Sequence, residues 1–73
     1  MNGKIARLRQ EHGISQSDLA YAIDMTRVTV ANVETGNTKP SLKFIKNTLR
    51  FFQQYDPDIK FQDLFDYETN KTG

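Results

Sequence analysis

The sequence predicts an all-α fold of five short helices, and three observations carry that prediction. Apolar residues recur at helical spacing almost throughout, and no stretch of four to eight residues alternates as a half-buried strand does. Ser15, Thr26 and Ser41 precede such apolar-periodic runs, where a side-chain oxygen can cap free backbone amides. Gly13 and Gly36 follow two of them, where a left-handed residue ends a helix.

The elements follow in order. Ile5 and Leu8 mark a first helix that ends near His12-Gly13. Ser15, with Asp18 three residues on, resembles a capping box in which Asp replaces the usual Glu or Gln. It opens a second helix with Leu19, Ala20 and Ile23 inward. Thr26 caps a third, from Arg27 to about Thr35, with Val30 and Val33 inward and Gly36 as its stop. The β-branched cluster Val28-Thr29-Val30 could suggest a strand, but its flanks fit a helix, and Val33 continues the spacing from Val30. Asn37 to Pro40 form a loop. A fourth helix starts near Ser41 and must end before Pro57, because Asp56 is steered away from helical angles. A short fifth helix spans about Phe61 to Phe65.

With 73 residues and 37% hydrophobic content the chain is one domain with a small core. We assign residues 1–67 to that domain and 68–73 to a flexible polar tail. There is no cysteine, and the single histidine, His12, cannot build a metal site alone. No apolar run approaches membrane-spanning length, and the first residues lack the apolar stretch of a signal peptide, so a cytoplasmic protein is expected. No Gly-rich phosphate loop and no acid–base pair that the fold would bring together is evident, so the chain reads as a non-enzyme with no cofactor, metal or small-molecule ligand. Asp56 and Asp58 mimic a calcium loop only superficially, since Pro57 lies between them and no Asp-x-Asp-x-Asp-Gly series follows.

The formal net charge is only +1, less basic than usual for a nucleic-acid-binding domain. Its distribution is uneven. Residues 1–50 hold eight basic against four acidic side chains, and residues 51–73 hold two against five. A polyanion can be met by the first part while the second faces away.

Two short helices joined by a tight turn, the second capped by Thr and ended by Gly, make a helix-turn-helix. Gln16, Leu19, Ala20, Ile23, Val30, Val33, Glu34 and Gly36 stand at the spacing of one family of such units. Ile5, Leu8 and Arg9 before it agree, as do Pro40-Ser41-Leu42 and Ile45 after it. The sequence resembles the Cro/repressor helix-turn-helix family, the XRE-type transcriptional regulators, over roughly residues 4–65. The resemblance implies a five-helix, lambda-repressor-like DNA-binding domain. It also implies that Arg9 and Glu34 pair across the inside of the domain. Asp24 departs from the pattern, because Gly is common where the chain leaves the second helix; Asp tolerates left-handed geometry better than most residues, so the turn is kept at some cost. Leu49 departs as well, since a small residue is usual there.

In this family the second helix of the pair lies in the major groove, N-terminal residues foremost. With Val30 and Val33 inward, its outer residues are Arg27, Val28, Ala31 and Asn32. Arg27 can give two hydrogen bonds to guanine and Asn32 can pair with adenine, while Val28 and Ala31 offer apolar contact to a thymine methyl. Gln16, Thr29, Asn37, Thr38, Lys39 and Lys43 are the candidates for phosphate contacts, which fix register rather than sequence. The expected activity is that of a small sequence-specific regulator of double-stranded DNA, a repressor acting as a homodimer on a pseudo-palindromic operator. Along the fourth helix, Leu42, Ile45, Leu49 and Phe52 form the expected core face. Phe44, Phe51 and Tyr55 form a second stripe, either a dimer interface or a face covered by Ile59, Phe61, Leu64 and Phe65. The rival reading is a helix-turn-helix module that binds a partner protein, as an antitoxin-type component does, with weak or no DNA binding.

Overall fold

The computed structural model describes residues 4–65, so the tail assigned to 68–73 lies outside the described residues. Those residues form five helices in the order α1 (Lys4–Glu11), α2 (Gln16–Ala22), α3 (Arg27–Glu34), α4 (Leu42–Gln53) and α5 (Phe61–Leu64), with no strand among them. None of the helices is long and apolar enough to cross a membrane.

Local chemistry sets the boundaries. The Ser15 hydroxyl accepts from the Asp18 amide at 2.9 Å and the Asp18 carboxylate reaches back to the Ser15 amide at 3.4 Å, so the capping box closes with Asp in place of Glu. Thr26 accepts from the Thr29 amide at 3.1 Å, and Ser41 from the Phe44 amide at 3.1 Å. Each such cap contributes about 1 kcal/mol. Helix α1 ends where Gly13 takes φ +67°, a region closed to most side chains. Asp24 takes φ +62° and is the non-glycine residue held there, so the turn between α2 and α3 survives the substitution expected to strain it.

Helix α2 packs on α3, and α1 packs on both α3 and α5. Ile5, Leu19, Ala20, Ile23, Val30 and Val33 fill the space between them, and Phe44, Phe52, Ile59, Leu64 and Phe65 complete one continuous core. At 3% exposure Ala20 is as small as the crossing of α2 and α3 demands.

The fourth helix departs from the expected arrangement. Its inward residues are Phe44, Thr48 and Phe52, spaced i, i+4, i+8, with Ile45 and Leu49 half-buried beside them. Leu42 was expected on the core face and is 71% exposed, because it opens the helix beyond the edge of the core. Phe44 was expected in the second stripe and is 1% exposed. Its ring meets Phe65 edge-on at 6.4 Å, so the segment carrying α5 covers it and it cannot serve a dimer interface. Thr48 stands outside the expected core stripe, yet it is fully buried.

Candidate nucleic-acid interface

The site is built from the inner face of α3 outward. Val30 and Val33 anchor the helix in the core, and Glu34 completes that face with a charge. Arg9 of α1 meets it as a fork: Nε donates to Glu34 Oε2 at 2.7 Å and Nη2 to Glu34 Oε1 at 3.0 Å. The third arm, Nη1, donates to the Ile14 carbonyl at 2.9 Å. Both residues are buried, at 9% and 7% exposure. A planar guanidinium with every partner in reach is the geometry that makes a buried pair tolerable. The pair expected between Arg9 and Glu34 is therefore present, and it ties α3 to α1.

Gln16 extends this arrangement to the surface. Its Nε2 donates to Glu34 Oε1 at 3.0 Å, and its Oε1 lies 3.5 Å from Arg27 Nη1, which donates to it. Gln16 is the candidate phosphate contact whose carboxamide is bonded at both ends within the chain, at a half-buried and an exposed contact. The chain Arg9–Glu34–Gln16–Arg27 thus runs from the core to the first residue of α3. Nothing in the residue spacing alone announces it, because its members come from three helices.

The candidate base-contacting residues lie along the side of α3 away from Val30 and Val33. Arg27 is exposed and Val28 is 59% exposed, while Ala31 and Asn32 are half-buried on the same side, one turn along. Thr29 is half-buried, and its hydroxyl lies 2.9 Å from that of Thr26, so it belongs to the cap of α3. Asn37, Thr38 and Lys39 are exposed in the loop that follows. The Asn37 and Thr38 amides both donate to the Asn32 carbonyl, at 2.9 and 3.2 Å, which folds the loop back against the end of α3. Lys43 is exposed too, but its Nζ is 3.0 Å from Asp24 Oδ2, so its charge is shared with the turn that precedes α3.

Of the second stripe, Phe44 is buried and the other two members reach the surface in part. Phe51 is half-buried and Tyr55 is 49% exposed, with ring centroids 5.5 Å apart. Tyr55 also stacks on His12 at 4.5 Å, which joins the ends of α1 and α4. Tyr21, on α2, is 90% exposed, a position that no apolar spacing marks.

The helix-turn-helix family pattern matches residues 5–59. Among curated proteins, the chain is 32% identical over 71 residues to an HTH-type transcriptional regulator of Methanocaldococcus jannaschii, covering 97% of this chain and all of that protein. It is 34% identical over 65 residues to an HTH-type transcriptional regulator of Bacillus subtilis, covering 89% of this chain and 91% of the relative. A similar regulator of Archaeoglobus fulgidus is 28% identical over 68 residues, with 93% and 90% covered.

Proposed function

The chain belongs to the helix-turn-helix family of transcriptional regulators, and from that membership we propose that it binds double-stranded DNA sequence-specifically and represses transcription. The observation that carries the reading is the two-sided character of α3. Its inner face is fixed by Val30, Val33 and the forked Arg9–Glu34 pair, while its outer face offers Arg27, Val28, Ala31 and Asn32. A helix entering the major groove must be held from behind and must present unlike groups in front, since each base pair shows a distinct edge there. Arg27 reads guanine, Asn32 reads adenine, and Val28 and Ala31 meet thymine methyl groups. Asn37, Thr38 and Lys39 touch phosphates beside the groove. Gln16 acts chiefly by orienting Arg27, to which it is bonded from behind.

One copy reads only a few base pairs, so the specific complex is a two-fold dimer on a pseudo-palindrome. Phe51 and Tyr55 are the apolar side chains proposed at its interface. Repression then needs no more than occupancy of the operator.

The deciding experiment is selection of bound duplexes from a random pool. Enrichment of a symmetric pair of half-sites supports the proposal. Failure to bind any duplex in dilute buffer rejects it and favours the partner-protein reading, which the small net charge suggests.

A further inference from the structure

Between Glu34 and Asp56 the sequence holds no acidic residue, while Lys39, Lys43, Lys46 and Arg50 fall within the same stretch. Glu34 itself is turned inward and neutralised by Arg9. Lys43, Lys46 and Arg50 recur at i, i+3 and i+7, so they share one side of α4. All three are exposed, and they border a shallow groove of about 300 Å³ with Leu42 and Asn47. Among the described residues Asp24 alone answers this row, by its pair with Lys43, and no carboxylate reaches Lys46 or Arg50.

The row is also placed. Asn47, between Lys46 and Arg50, donates to the Ile23 carbonyl at 3.1 Å, so this side of α4 is fastened to the turn between α2 and α3. Lys43 meets Asp24 in the same turn. Arg50 rims a second groove with Ala22, Ile23 and Asp24. The cations therefore begin in the loop after α3 and continue along the flank of the helix-turn-helix unit. A duplex that takes α3 into a groove about 12 Å wide carries a phosphate strand along each flank of that helix.

We propose that Lys46 and Arg50 extend the phosphate contacts of Lys39 and Lys43, making the outer row of α4 a track for the DNA backbone beside the bases that α3 reads. The proposal rests on the DNA-binding reading above. From Lys43 to Arg50 the row is about 10 Å long at ~1.5 Å rise per residue, and one strand places a phosphate every ~3.4 Å of axis, so several phosphates lie within its reach. Excess cation on a rigid helix, opposed among the described residues by Asp24 alone, suits a regular polyanion. It carries no base information, because ammonium and guanidinium groups at phosphate height cannot see base edges.

The test uses the full chain and a labelled random-sequence duplex of about 30 base pairs, near three helical turns. Affinity is followed by fluorescence anisotropy against salt for the unaltered protein, for Lys46→Gln/Arg50→Gln, and for Arg7→Gln/Lys60→Gln. The last pair removes the same charge away from the row, and circular dichroism verifies that each variant is folded. Each phosphate contact contributes about 0.9 to the logarithmic salt slope, so losing two flattens it by about 1.8. A fourfold rise in salt then weakens the row variant about tenfold less than the unaltered protein. That result, with the control slope unchanged, supports the track. A row variant with the unaltered slope, or a control that flattens equally, overturns it and leaves DNA binding standing. An unaltered protein that binds no duplex overturns both readings.

Discussion

The two ion pairs found among the described residues use the same chemistry to different ends. Arg9–Glu34 is forked, buried and met by further partners in Gln16 and the Ile14 carbonyl. Lys43–Asp24 is a single contact between side chains that are 57% and 86% exposed. Water already solvates the second pair, so its attraction is small and easily surrendered. The first pair has left water, and each member depends on the other. One holds α3 in place. The other keeps a cation at the surface without committing it to the fold, which leaves it available to a stronger anion such as a phosphate.

The widest test of that contrast is to break the buried pair from one side. Glu34→Ala strands the Arg9 guanidinium and is expected to lower unfolding free energy by ~3–5 kcal/mol, a large share of the stability of so small a domain. Chemical denaturation measures it. The double variant Arg9→Met/Glu34→Leu should recover most of the loss, since replacing both partners leaves no buried charge. A single variant as stable as the parent would place the pair in solvent and erase the contrast.

Arg27 stands at the far end of the same polar chain but is proposed to serve the ligand. Arg27→Ala should leave the melting temperature nearly unchanged and cost ~1–3 kcal/mol in binding to a selected operator, with preference relaxed at one base position. Equal losses on selected and random duplexes would remove Arg27 from base reading. Gln16→Ala should reproduce part of that loss, because Arg27 is then no longer held from behind.

Thr48 supplies the counter-example to the buried pair. Its hydroxyl is fully buried, and among the described residues it has no hydrogen-bond partner. A buried hydroxyl without a partner costs on the order of 1–3 kcal/mol, while a buried polar group with every partner met costs little. Thr48→Val keeps shape and branching and should stabilise the domain by about 1 kcal/mol in thermal or urea unfolding. A loss of stability would mean that the hydroxyl is satisfied after all.

What the sequence made legible, and what it did not, divides along the same line between local and distant causes. Caps, turn residues and the inner face of α3 are local signals, written within a few residues of where they act. The Ser15 box, the Thr26 cap and the burial of Val30 and Val33 were all readable for that reason. The inward side of α4 depends on where α5 and Phe65 come to rest, which is a distant matter. Counting apolar residues put Leu42 inside and passed over Thr48, and the true face, Phe44–Thr48–Phe52, contains a polar residue that no hydrophobic pattern selects. The place of Gln16 at the start of α2 suggested only a phosphate contact, and its bonds to Glu34 and Arg27, which join α2 to α3, needed the fold.

The smallest effect concerns the exposed pair, and it is the one that separates fold from function most cleanly. Lys43→Gln removes a surface contact worth at most about 1 kcal/mol, so unfolding free energy should move by no more than that. If the lysine is kept for a phosphate, the same substitution should still flatten the salt slope of DNA binding by about 0.9. Asp24→Asn should do the reverse, since it frees the ammonium from its carboxylate without changing the left-handed turn that either residue tolerates. It should leave stability alone and tighten binding slightly at low salt. Were Lys43→Gln instead to cost as much stability as Glu34→Ala, burial would no longer distinguish the two pairs, and the surface cation would have to be counted as part of the fold.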